Sequence, residues 1–267
     1  MDYTKGFKYI VFYVFISSIF LSITVYVLQN YQKNQNIFSQ NLKKIKNTQD
    51  NFQKIIDNTA AKGVLVYDLS QDKILASKNV NKVYSLASLT KIITAVAVYE
   101  KDKNLLSEIR NMLKTSSNPE AEKLALVLGP DEKSQVTYIN NFTKKYNLNF
   151  RNVSGLDIDI DNQGSRITGG EGSLIDLINF VKDFYPKYPE LFDETILKDN
   201  NTNIITDDLN FLTISKTGFT SLSGGNLLVG VQKGLNREIF ILVLNSTEKN
   251  RFVDVQNIAN FLLQSSI

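Results

Sequence analysis

The chain has 267 residues, and its 30 lysines and arginines stand against 27 aspartates and glutamates, a net charge of +3. With basic and acidic residues interspersed, that balance leaves no electrostatic footprint for nucleic acid. Neither histidine nor cysteine occurs, which excludes Ser-His-Asp triads, Cys-His dyads, zinc ribbons, disulfides and histidine metal sites. Proton transfer must run on Lys, Asp, Glu, Tyr or water.

From Tyr9 to Leu28 the sequence "YIVFYVFISSIFLSITVYVL" carries no charge. About 20 helical residues at about 1.5 Å each span roughly 30 Å, the apolar thickness of a bilayer. Tyr9, Tyr13, Tyr26 and Tyr31 lie near its ends, where amphipathic rings favour the interface. The run exceeds the about 7–15 apolar residues of a signal peptide, and no small-x-small cleavage pattern follows. Residues 1–30 are therefore expected to be a short N-terminal tip and an uncleaved transmembrane anchor. Lys5 and Lys8 precede the span, whereas Lys33, Lys43, Lys44 and Lys46 follow it, so charge alone leaves the orientation open.

Residues 31–59 are polar, rich in Asn, Gln and Lys, without glycine or proline. Phe38, Leu42, Ile45, Phe52 and Ile56 follow steps of four and three, with Gln49 inside the same seam. This predicts a helical stalk, weakly self-associating or packed on the surface of its own domain.

A globular domain is expected over 60–267. "GVLVYDL" (Gly63–Leu69), "SQDK" and "ILASKN" read as strand, turn and strand. Helical segments are expected at about Ser88–Glu100 and Pro119–Leu128. Strands return at "FLTISK" (Phe211–Lys216), "NLLVGVQ" (Asn226–Gln232) and "EIFILVL" (Glu238–Leu244), and a helix over about Phe252–Gln264 closes the chain. Strands from both ends with helices between them predict an α+β domain: a five-stranded antiparallel sheet covered by helices.

Three short elements carry candidate chemistry. In "YSLASLTKIITA" (Tyr84–Ala95), Ser88 and Lys91 are three apart, on one helical face. Burial would disfavour the lysine's charge and let the amine take the serine proton. Alone, the pattern reads equally as a capping serine, and it recurs at Ser70/Lys73 and Ser246/Lys249. Ser116-Ser117-Asn118 offers a hydroxyl relay and an amide, or simply a turn before Pro119 at a helix start. Lys216-Thr217-Gly218, at the end of "FLTISK", offers a cation and a hydroxyl for a carboxylate, with a glycine for close approach.

Taken in order, Ser-x-x-Lys, Ser-x-Asn and Lys-Thr-Gly form the signature of penicillin-binding proteins and class A β-lactamases. "KGVLVYDLSQDKILASKNVNKVYSLASLTKIITA" resembles the opening of low-molecular-mass D-alanyl-D-alanine carboxypeptidases. "NFRNVSGLD" (Asn149–Asp157) is similar to their Phe-x-Asn-x-Ser-Gly-Leu segment, and "SKTGFTSLSGGNLLVGVQKGLNREIFILVL" to their Lys-Thr-Gly strand and following hairpin. The resemblance covers about residues 60–262 and implies a β-lactamase/DD-peptidase-like fold.

It also implies roles. Lys91 deprotonates Ser88, which attacks the carbonyl between two terminal D-alanines of a peptidoglycan stem peptide. Ser116 passes the proton to the departing D-alanine, and Asn118 fixes Lys91 and the substrate. Lys216 and Thr217 bind the terminal carboxylate beside Gly218, the amides of Ser88 and Phe219 form the oxyanion hole, and β-lactams acylate Ser88. Arg251 reads as a carboxylate-binding arginine or as a surface residue. The implied substrate places the N-terminus inside and the domain outside the cytoplasmic membrane. No cofactor and no metal is implied.

The pattern also departs from the family. Only 25 residues separate Lys91 from Ser116, fewer than in typical relatives, Pro119 stands where aspartate is usual, and Phe219 where a smaller or polar residue is common. "NQGSRITGGEGS" (Asn162–Ser173) has no reading. A class A-like β-lactamase is the alternative with turnover, although no Glu-x-x-Leu-Asn element lies between Asn118 and Lys216. A non-catalytic relative that binds cell-wall peptides is the alternative without it.

Overall fold

The computed structural model describes residues 3–151, 158–160, 166–198, 201, 204–205, 209 and 211–265. It divides into two compact units, residues 1–50 and 51–267. Helix α1 (Tyr3–Asp57) runs unbroken through the apolar and polar segments, which contain no proline and no glycine after Gly6. Its apolar part is long and hydrophobic enough to cross a membrane, with a mean hydropathy of 1.8. The side chains of Phe12 to Leu28 are exposed. The hydroxyls of Ser17, Ser18, Ser22 and Thr24 donate to carbonyls three or four residues back, which satisfies them inside the helix as an apolar solvent demands.

The second unit is built on a five-stranded antiparallel sheet of β1 (Gly63–Asp68), β2 (Lys73–Lys78), β7 (Leu212–Thr220), β8 (Gly224–Gln232) and β9 (Glu238–Ser246), in the order β2-β1-β9-β8-β7. Strand β1 pairs with β2 on one side and β9 on the other, so the two chain ends form adjacent strands, as the sequence predicts. Both faces are buried, which is why "GVLVYD" and "EIFILVL" read as unbroken apolar runs rather than alternating ones. Alternation survives in destination: Leu65, Phe240, Leu242 and Leu244 face one core, and Val64, Val66, Ile239, Ile241 and Val243 the other.

The second core is closed by α7 (Asn250–Gln264) and the last turns of α1. Phe52 and Ile56 are fully buried there, Phe52 stacked on Phe261 at 5.0 Å. The second unit thus includes the last turns of α1, from Asn51 onward, where two of the five seam residues are buried in this core. Phe38, Leu42 and Ile45 remain exposed.

One carboxylate ties this join together. Buried Asp254 on α7 accepts from the amides of Ala60 and Ala61, each at 3.0 Å, and from Ser246 Oγ at 2.9 Å. Asp254→Ala leaves two buried donors unpaired, and we expect a loss of about 2–4 kcal/mol of stability. Urea unfolding reads it as a lower midpoint at unchanged slope; an unchanged midpoint contradicts it.

The first core lies under five helices. Helix α2 (Thr90–Lys101) buries ten consecutive residues, Thr90 to Tyr99, as a helix at the centre of a domain does. Around it lie α3 (Leu106–Thr115), α4 (Asn118–Ala125), α5 (Glu132–Lys144) and α6 (Leu174–Phe184). Capping boxes at Asp131/Ser134 and Ser173/Asp176 start α5 and α6. Two small ladders complete the unit: β3 (Tyr84–Ser85) with β6 (Glu171–Gly172), and β4 (Ile158–Ile160) with β5 (Arg166–Thr168). These give part of the unread 162–173 segment a strand structure. Residues 162–165, and 152–157 of the Asn149–Asp157 segment, lie outside the described residues.

Candidate active site

The chain leaves β3 through a tight turn before it enters α2. Ala87 adopts φ +48°, a left-handed conformation that costs a residue with a Cβ roughly 1–2 kcal/mol. Surrounding contacts enforce it: Leu86 N–H donates to Gly170 O at 2.9 Å, and the Thr90 hydroxyl donates to Ala87 O at 2.8 Å. Ala87–Leu89 form a single 3-10 turn, and α2 begins at Thr90. The helix expected from Ser88 therefore starts two residues later. Ser88 is not its capping residue, since Leu89 holds that position.

Ser88 instead accepts a hydrogen bond from Lys91 Nζ at 2.8 Å. Lys91 is fully buried, and its amine also donates to Asn118 Oδ1 at 2.6 Å. The spacing of three residues delivers this contact although Ser88 sits in a 3-10 turn and Lys91 in the α-helix, because both geometries bring i and i+3 onto one face.

Ser116, Ser117 and Asn118 join α3 to α4, and each has a different local duty. Ser116 ends α3 in a left-handed conformation, φ +57°. Ser117 is the N-cap of α4, its oxygen accepting from Glu120 N–H, and Asn118 opens that helix with Pro119 in its first turn. The turn before Pro119 at a helix start is thus present. Glu120 Oε1 accepts from Asn111 Nδ2 at 2.5 Å, holding α3 against α4 at this corner.

Strand β7 supplies the other wall. It was expected to end at Lys216, but it continues to Thr220, so Lys216-Thr217-Gly218 lies within an edge strand whose register pairs Lys216 with Leu228 and Gly218 with Asn226. Lys216 Nζ donates to Ser116 Oγ at 2.6 Å and to Thr217 O at 2.9 Å. Gly218 passes directly over the Ala87–Leu89 turn: a Cβ there would meet Leu86 O at 2.9 Å and Ser88 N at 3.2 Å. The glycine thus sets how closely strand and turn approach.

Among the predicted site residues, Lys91 bonds directly to Ser88 and Asn118, and Lys216 to Ser116 and Thr217. The Ser116–Asn118 link and the seating of Gly218 on the turn bring the two together. Phe219 follows on the strand, partly exposed. Arg251 is not a surface residue. It is 6 % exposed, its Nη1 donates to Gly218 O at 2.7 Å, and its guanidinium lies over the rings of Phe219 and Phe252. Burial draws its pKa down from the ordinary value, with Glu248 pulling the other way.

Sequence reading missed Asn226. Fully buried, it donates from Nδ2 to Ser85 O at 3.0 Å and accepts from Asn245 N–H at 2.9 Å, pinning β8 to the strand before the Ala87–Leu89 turn. Its only sequence signal is an amide opening the apolar run "NLLVGV". Among the described residues, no three His, Cys, Asp or Glu side chains converge to hold a metal.

Residues 47–143 match a family model described as D-alanyl-D-alanine carboxypeptidase, peptidase family S11. That span takes in Ser88, Lys91, Ser116 and Asn118. Penicillin-binding protein D2 of Listeria monocytogenes, crystallised with ampicillin, superposes with a TM-score of 0.67 at 22% identity over 76% of this chain and 98% of that one. The fold is that of the low-molecular-mass DD-peptidases. A D-alanyl-D-alanine carboxypeptidase of Mycobacterium tuberculosis gives a TM-score of 0.65 at 15% identity over 77% of this chain and 92% of its own. Penicillin-binding protein 6B of Escherichia coli gives 0.61 at 18% over 76% and 77%. No curated protein matches the chain. The resemblance read from the three motifs and their flanks is thereby borne out at the level of the DD-peptidase fold.

Proposed function

We propose that the chain is a membrane-anchored serine D-Ala-D-Ala carboxypeptidase that acts on peptidoglycan stem peptides and is acylated by β-lactams. The observation that carries this reading is the 2.8 Å contact between a buried lysine amine and the hydroxyl of Ser88, with Asn118 on the same amine. At that distance one proton transfer separates a serine from a nucleophilic alkoxide.

In the proposed cycle the Lys91 amine takes the Ser88 proton as Oγ attacks the penultimate D-alanine carbonyl. The amides of Ser88 and Phe219 receive the developing oxyanion. Ser116, bonded to Lys216, relays the proton taken up by Lys91 to the departing amine of the terminal D-alanine as its C–N bond breaks. The Lys216 amine and the Thr217 hydroxyl hold its carboxylate, with Arg251 acting from behind the strand through Gly218 and Phe219. Water then takes the place of the leaving group and releases the shortened peptide. Helix α1 serves as a single-pass anchor, with its N-terminus inside and the domain facing the wall.

The test is release of free D-alanine from a synthetic peptide ending in D-Ala-D-Ala, with the Ser88→Ala variant alongside. Release by the wild type alone is the expected result. A wild type that instead consumes penicillin and leaves the peptide intact favours the β-lactamase alternative. One that consumes neither favours the peptide-binding relative.

A further inference from the structure

The exposed part of the stalk seam is not used by this chemistry. Tyr31, Phe38, Leu42 and Ile45 are each at least half exposed along one line of α1. With Gln35 between Tyr31 and Phe38, the steps along this line alternate four and three, a mean of 3.5 residues, the repeat of helices that pair by supercoiling.

We infer that residues 31–49 form an interaction surface whose partner is the same segment of a second copy, aligned in parallel. Numbered as a heptad, Tyr31, Phe38 and Ile45 are d positions, and Leu42 and Gln49 are a positions. Lys33, Lys43 and Lys44 fall at f, b and c, away from the contact line. The flanking e and g positions are Gln32, Asn34, Ser39, Asn41, Lys46 and Thr48. In a parallel pair Lys46 then faces Asn41, and no like charges meet.

Gln35 and Gln49 also occupy a positions. Two parallel chains in register set each glutamine against its own copy, where the amides can bond to each other. An antiparallel pair or an unrelated apolar helix would bury these amides against hydrocarbon, at a cost.

Stable protein interfaces bury roughly 1,200–2,000 Å², more than so short a seam offers, so the pairing depends on tethering. It therefore rests on the anchoring reading above. Anchors that hold every copy in one membrane and one orientation raise the effective concentration to the order of millimolar.

The chain has no cysteine, so single cysteines report this contact without background. In the full-length protein in membranes, Leu42→Cys and Ile45→Cys are expected to give disulfide-linked dimer as the main species under mild oxidation. Gln40→Cys and Lys44→Cys, on the outer faces, are expected to remain monomeric. Equal cross-linking at all four positions, or none, overturns the pairing while the anchor stands. Release of the unmodified chain by alkaline carbonate overturns the anchoring and the pairing with it. Retention in the membrane with seam-specific cross-links supports both.

Discussion

Ser88→Ala is expected to lower D-alanine release from a D-Ala-D-Ala peptide by on the order of 10⁴-fold or more while leaving the fold unchanged. The side chain lost is one hydroxyl in a turn whose shape is set by others. Leu86 N–H on Gly170 O, Thr90 on Ala87 O and Asn226 on Ser85 O all remain. Alanine also accepts the right-handed backbone of this position, since the left-handed residue is Ala87. A thermal midpoint close to wild type alongside lost release assigns the defect to chemistry. Release that persists within tenfold of wild type sinks the assignment of Ser88 as nucleophile.

Lys91→Met tests the base separately from the nucleophile. Methionine keeps most of the buried stem volume and removes the amine, a swap that packed interiors usually tolerate. What disappears is the donor to Ser88 Oγ at 2.8 Å and to Asn118 Oδ1 at 2.6 Å. Acylation of Ser88 is expected to slow by about 10²–10⁴-fold, the usual contribution of a positioned base, with peptide KM changed far less than kcat. Stopped-flow acylation by a chromogenic cephalosporin gives the rate. An unchanged rate makes Lys91 a structural amine and moves the base to the Lys216–Ser116 pair.

Much of this site is legible in the sequence because its determinants are local. Three-residue spacing at a helix start places Lys91 within reach of Ser88, and Ser-Ser-Asn-Pro encodes a helix end, a cap and a helix start in consecutive residues. The sheet is equally plain in its apolar runs and its turn at "SQDK". What escapes sequence is set by tertiary contact. Ala87 is left-handed because Gly170 and Thr90 hold the turn around it, and no property of alanine announces that. Strand β7 runs on past Lys216 because β8 pairs with it as far as Thr220, whereas the Lys-Thr-Gly sequence reads as a strand end. Arg251 reads as a surface or substrate residue and proves to be buried behind Gly218 by the packing of α7. The stalk shows both sides of the lesson: its heptad spacing predicts a helix with one apolar line, but which residues of that line find a partner depends on α7. Phe52 and Ile56 do, and Phe38, Leu42 and Ile45 do not.

The central claim is that Ser88 is a serine activated for acyl transfer. Intact mass of the wild-type protein after incubation with penicillin tests it most directly, with the adduct mapped by peptide digestion. A single stable adduct of one intact penicillin on the peptide bearing Ser88, and none on Ser88→Ala, is the expected result. An unmodified protein beside unhydrolysed penicillin would contradict it.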